Sequence, residues 1–170
     1  MTCLLYTSIQ INDVIYSLPT PLISFLNNGW TIAEEDAKLR LSGADEPYAR
    51  YDDRQITLIS AQEHRIKVTV YNTKEQTIDI AQSTVGDIYV IYGNYDFTGT
   101  NLRLPGGLML GWSSREDVLK QYGEPDEGFE EYSVTYQKSD SATAYWNLYF
   151  DDSGYLDEVM IHNQAYYRDN

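Results

Sequence analysis

The sequence predicts an α+β fold of two tandem helix-plus-antiparallel-sheet units, with helices on one face of a combined, open sheet. Three observations carry this expectation. The segment 110–126 spells out one helix with both ends marked. Strand-like alternation follows it in 145–150 and 156–161. A looser version of the same order, helix and then strands, occupies the first half and reads as internal duplication. The chain divides into a tail or leading strand (1–10), a divergent first unit (11–96) and a second unit (97–166), within one continuous domain.

Thr20 and Pro21 read as the N-cap and first residue of the first helix. Leu22, Phe25 and Leu26 form its apolar face, and Asn27-Asn28-Gly29 ends it. The polar stretch 31–46 holds a weak helix over 33–41. Ile66, Val68 and Val70 alternate with Lys67, Thr69 and Tyr71, so each set points to one side of a strand. The loop 72–84 carries a short extra strand around Ile78 and Ile80, and 93–99, rich in glycine and asparagine, is the expected joint between the halves.

In the second helix Ser113 is the expected cap, with Glu116 completing a capping box. Val118, Leu119 and Tyr122 form its buried side. Gly123 takes the terminal position and Pro125 forbids continuation. Trp146, Leu148 and Phe150 alternate with Tyr145, Asn147 and Tyr149, and Asp151-Asp-Ser-Gly154 makes a tight hairpin turn. The last strands of the two halves share one spacing: Val85-x-x-Ile88-x-Val90 and Leu156-x-x-Val159-x-Ile161.

Composition narrows the function classes. Twenty-six acidic against twelve basic residues give a formal charge of −14, which repels a polyanion, so no nucleic-acid partner is expected. The same charge suits solubility and a basic patch on a partner. No apolar run approaches the ~20 residues of a membrane span. Sixteen tyrosines against four phenylalanines fit half-exposed strand faces, where the ring packs and the hydroxyl stays wet. Cys3 is the single cysteine, so neither an internal disulfide nor a cysteine metal cluster forms. The start of the chain has no basic stretch before a long apolar core and no lipobox before Cys3, which by itself points to a location inside the cell.

Catalytic chemistry finds little support. His64 and His162 lack a nucleophile context, and the serines after Gly111-Trp112 lack the second glycine of a nucleophile elbow. Ser113 reads as a cap, His64 as a solvated loop residue and His162 as a strand residue on the open side. Zinc ligands are missing, and the acids of 151–158 are wrongly spaced for a calcium loop. Leu104-Pro-Gly-Gly107 lacks the Lys-Ser/Thr of a phosphate loop. Glu34-Glu35 and Glu130-Glu131 read as solvated neighbours. No cofactor, no metal and no catalytic residue are expected.

The segment 107–126, with the later Leu148-Tyr-Phe-Asp-Asp-Ser-Gly154, resembles the unit shared by the β-lactamase inhibitory protein family and the small outer-membrane assembly lipoproteins. Gly111, Ser113, Val118, Gly123, Pro125, Asp151 and Gly154 match its pattern. Leu18, Pro19, Gly29 and Trp30 are similar to the opening of surface lipoproteins of Gram-positive gut bacteria that carry this unit. The resemblance implies tandem units with a concave sheet backed by helices, and an extracellular or cell-surface setting. The chain departs from the family in lacking its disulfides, a signal peptide and a lipidation cysteine.

With the apolar sets packed under the helices, their alternating neighbours face outward. These are Lys67, Thr69, Tyr71, Tyr89, Ile91, Tyr145, Asn147, Tyr149, Met160 and His162. Tyrosine and methionine in such a patch suit a binding surface, although good strand formers also fill an ordinary wet face. The expected function is a non-catalytic binding module, directed at a protein through these tyrosines. A carbohydrate or cell-wall-binding module, a structural domain of a larger surface protein, and a hydrolase with an unfamiliar site are the alternatives.

Overall fold

The computed structural model of the protein describes residues 7–43, 53–93, 97, 99–129, 132–137 and 144–163. The long strands are β6 (Asp53–Ile59), β7 (Arg65–Tyr71), β9 (Thr84–Ile91), β13 (Ala144–Phe150) and β14 (Leu156–Asn163). Shorter ones are β1 (Ser8–Ile11), β2 (Val14–Ser17), β3 (Thr20–Pro21), β4 (Thr31–Ile32), β5 (Arg40–Leu41), β8 (Ile78–Asp79), β10 (Leu102–Arg103), β11 (Glu127–Phe129) and β12 (Ser133–Gln137). Two α-helices, α1 (Ile23–Leu26) and α2 (Arg115–Tyr122), and a 3-10 turn at Ile80–Gln82 complete the described elements.

An antiparallel nine-stranded sheet dominates, in the order β11-β12-β13-β14-β9-β7-β6-β4, with β3 added beside one end of β9. Its centre is the β14–β9 pair, where Val159 faces Val90 and Ile161 faces Ile88. The inward residues of alternating strands are fully buried: Ile66, Val68 and Val70 on β7, Trp146 and Leu148 on β13, Val159 and Ile161 on β14. They form one apolar cluster with Ile9, Ile11 and Leu102 of a smaller sheet ordered β10-β1-β2. A two-stranded β5–β8 pair contributes Leu41 and Ile78 to the same cluster.

The spacing shared by β9 and β14 has a local cause. Strict alternation would send Val85 and Ile88 to opposite sides, yet both are fully buried. Pairing between β7 and β9 jumps from Thr69–Asp87 to Val70–Val85, skipping Gly86. Pairing between β13 and β14 jumps from Tyr149–Glu158 to Phe150–Leu156, skipping Asp157. Each extra residue is a bulge that returns the next apolar side chain to the core.

The expected pair of helix-plus-sheet units, with helices layered on a sheet face, does not form. The fold is mostly β, and its helices are too small to cover a sheet. α1 spans four residues and α2 eight. Phe25 is the buried residue of the former and Val118 that of the latter, so sheet β10-β1-β2 and connecting loops supply much of the opposing layer. The concave sheet backed by helices that the resemblance implies therefore lacks its helical layer. Thr20 and Pro21 do not open a helix. They pair with Val85 and Thr84, and Leu22 becomes a cap with no side-chain hydrogen bond. Of the expected apolar triad, Leu22 and Phe25 are fully buried, and Leu26 packs partly buried against the same cluster. The ring of Phe25 stacks on Tyr16 at a centroid distance of 3.9 Å.

The weak helix over 33–41 is replaced by turns and β5. Its backbone is drawn elsewhere: the Asp36 carboxylate accepts from the Thr57 N–H at 2.8 Å, and the Leu39 carbonyl accepts from Ile80 N–H at 3.1 Å. The cap of α2 is Ser114, one residue later than expected, in a reciprocal capping box with Asp117. Ser113 instead accepts from the Met109 N–H at 2.9 Å. Most of the expected joint 93–99 lies outside the described residues, as do Cys3, residues 44–52 and the tail after 163. The Asp151 turn forms as expected, its carboxylate accepting from the N–H groups of Ser153 and Tyr155 at 2.9 Å each.

Candidate functional site

The large sheet has a second face, turned away from the apolar cluster. Two rows of side chains cross it. Thr57, Lys67, Tyr89, Met160, Asn147 and Thr135 are successive cross-strand partners from β6 to β12. The adjacent row runs Gln55, Thr69, Asp87, His162, Tyr145 and Gln137. A shorter third row places Ile91, Glu158, Tyr149 and Ser133 side by side. Every residue expected on the open side therefore falls into these rows except Tyr71.

Tyr71 lies next to the bulge at Thr69, opposite Thr84, and is 3% exposed, so it offers no contact area as the expectation required. Lys67 and Tyr149 are exposed. Thr69, Tyr89, Ile91, Tyr145, Asn147, Met160 and His162 are half-buried. That burial comes from neighbours on the same face, because cross-strand partners shield one another.

Polar contacts hold several of these side chains in place. The Tyr89 hydroxyl donates to Glu158 Oε2 at 2.7 Å. Thr135 donates to Asn147 Oδ1 at 3.0 Å. His162 Nδ1 sits 2.6 Å from Asp87 Oδ1, an ion pair when the imidazole is protonated. The Tyr145 ring stacks on that imidazole at 4.5 Å and 18°. Thr69 flanks Asp87 in this row, but among the described residues no Ser, Thr or Cys side chain hydrogen-bonds to His162. Groups of three or more His, Cys, Asp or Glu able to hold a metal are likewise absent among the described residues.

Burial pushes the Tyr71 phenol up to about 12, with the nearby Asp87 carboxylate adding to it. Burial raises Tyr145 in the same way, again with Asp87 as a further cause. Tyr89 is raised by burial first, and then by the hydrogen bond to Glu158 and that carboxylate's charge. A phenol whose pKa is higher in the folded chain than in the unfolded one contributes stability below the unfolded value near ~10. That contribution is lost as pH rises through the folded value. Urea midpoints are therefore expected to fall between pH 10 and about 12, and less steeply in Tyr71→Phe. Equal alkaline slopes for the two proteins would contradict this.

Two polar members of the face, Asp87 and Glu158, were not among the expected residues. Their signal was present, since Asp87 shares parity with Tyr89 and Ile91, and Glu158 with Met160 and His162. His64 is a plain correction. It is 5% exposed rather than solvated, its Nδ1 lies 2.7 Å from Thr100 Oγ1, and its ring packs on Phe97 at 5.1 Å. Partners more than thirty residues away in sequence caused that burial, and local composition carries no trace of them.

Comparison with protein-family models, with curated proteins and with solved structures found no match for the chain. Among the described residues, no helix is long and apolar enough to cross a membrane.

Proposed function

We propose that the protein is a non-catalytic binding module that engages a protein partner carrying a basic rim, through the open face of its large sheet. The observation that carries this reading is the contiguity of Tyr89, Met160, Asn147, His162, Tyr145 and Tyr149 in adjacent registers of that face. Aromatic and methionine side chains are enriched in interface cores, and the two carboxylates among them here are engaged within the face, Glu158 by the Tyr89 hydroxyl and Asp87 by His162. Tyr89 and Tyr145 are already ordered by Glu158 and His162, so little rotamer freedom is lost on docking. The chain's net charge of −14 favours a partner whose own patch is ringed by lysine and arginine.

The test uses a purified partner selected by its affinity for the full-length chain. The triple substitution Tyr89→Ala, Tyr145→Ala, Tyr149→Ala is expected to weaken binding by about 30-fold or more, the effect of losing one hot spot or several. Far-UV circular dichroism should stay unchanged, and wild-type affinity should fall with added salt. Unaltered affinity of the variant would sink the proposal. So would a glycan-array signal lost on the same substitutions with no protein bound, which would assign the face to sugar stacking instead.

A further inference from the structure

On the far side of the small sheet, away from the apolar cluster, lies a cleft of about 370 Å³. That is large enough for a small ligand or a chain terminus. Its floor is one cross-strand row, in which Arg103 on β10 and Ile15 on β2 flank Gln10 on β1. Ser8 lies two residues from Gln10 on the same side of β1, and Leu104 and Pro105 form a wall. That wall is braced from behind, since the Tyr122 hydroxyl donates to the Pro105 carbonyl and Gln121 packs against Gly106.

The polar groups here are unspent. Ser8 is 9% exposed, lines the cleft, and makes no side-chain hydrogen bond among the described residues. Among the described residues Arg103 has no carboxylate partner, although acids outnumber bases by more than two to one in the chain. Among the described residues no acidic side chain lines the cleft. Gln10 donates its amide to the Asn12 carbonyl at 2.6 Å, which leaves its own carbonyl oxygen as an acceptor. Ile15 is 65% exposed beside them.

We infer that this cleft binds the terminal carboxylate of a peptide or N-acyl amino acid with an apolar side chain. Arg103 supplies a fork for the carboxylate and Ser8 a further donor. The carbonyl of Gln10 accepts the N–H next to that carboxylate, and Ile15 with Pro105 covers the side chain. The inference is independent of the tyrosine face, which lies across the core.

The experiment is an NMR titration of the full chain with N-acetyl-leucine, N-acetyl-leucinamide and inorganic phosphate. The acid is expected to shift the Gly106 and Gly107 amides and to saturate. Its amide and phosphate should bind ~10-fold or more weakly, the effect of losing a hydrogen bond to a charged group or the apolar contact. Arg103→Gln and Ser8→Ala should each weaken the acid, with unchanged circular dichroism, and the exposed position of Arg103 keeps its variant folded. Equal binding of acid and amide, phosphate binding as tight as the acid, or an Arg103→Gln protein with wild-type affinity would each overturn the assignment.

Discussion

Trp146→Ala is expected to lower the unfolding free energy by about 3–5 kcal/mol, the range for truncating a large buried aromatic. Trp146 is fully buried on β13, opposite Tyr136 on one side and Ile161 on the other. Its ring meets Tyr122 edge-on at 5.3 Å, and Tyr122 meets Tyr136 edge-on at 5.5 Å. These contacts join α2 to the sheet, so the cavity would open where the helix is held. Against an ordinary domain stability of about 5–15 kcal/mol, the loss leaves a marginal protein. Urea denaturation followed by far-UV circular dichroism reads it directly. Trp112→Ala is the control: that side chain is 71% exposed, and its removal should cost within about 0.5 kcal/mol. A Trp146→Ala midpoint no lower than that of the control would refute this placement of the core.

Gly111→Ala carries the second largest expected effect, about 2–5 kcal/mol. Gly111 has a φ of +79°, where an L side chain pays about 1–2 kcal/mol. An added Cβ would also lie under 3.0 Å from ring carbons of Tyr92. Overpacking of that kind costs about 1–3 kcal/mol. The backbone has no room to yield, because the Gly111 N–H donates to the Leu156 carbonyl at 2.7 Å. The two causes separate in a double-mutant cycle. In a Tyr92→Ala background the steric part vanishes and the conformational part stays, so Gly111→Ala should cost about 1–3 kcal/mol less there. Strict additivity would show that Tyr92 is not the obstacle.

Gly111 also shows how far the local pattern was legible. In the sequence it stood as part of a family resemblance, two residues before the expected cap Ser113. The steric part of its need for glycine comes from Tyr92, nineteen residues earlier and just past the end of β9. The helix stop at Gly123, with a φ of +85°, was readable because turn chemistry is local. The cap fell one residue away, on Ser114, because both serines can accept an N–H and the Met109 backbone claimed Ser113. Thr20-Pro21 is a good helix opening by its residues alone, yet β9 recruits it as a strand.

By itself, the sequence determined which side chains share a side of each long strand, except at Tyr71, beyond the register shift between β7 and β9. Alternation has period two, and a one-residue slip would have exposed Ile88, Val90, Val159 and Ile161. It therefore placed the tyrosine-bearing face, and the 3-then-2 spacing even carried the mark of the bulges. Tertiary structure decided what lies against what. It made β14 the neighbour of β9, paired His162 with Asp87, buried Tyr71 and His64, and covered the core with a second sheet where a helical layer was expected. The physical reason is that burial of apolar area has no direction in sequence. A strand pattern states which side wants cover, and only the folded chain settles what provides it.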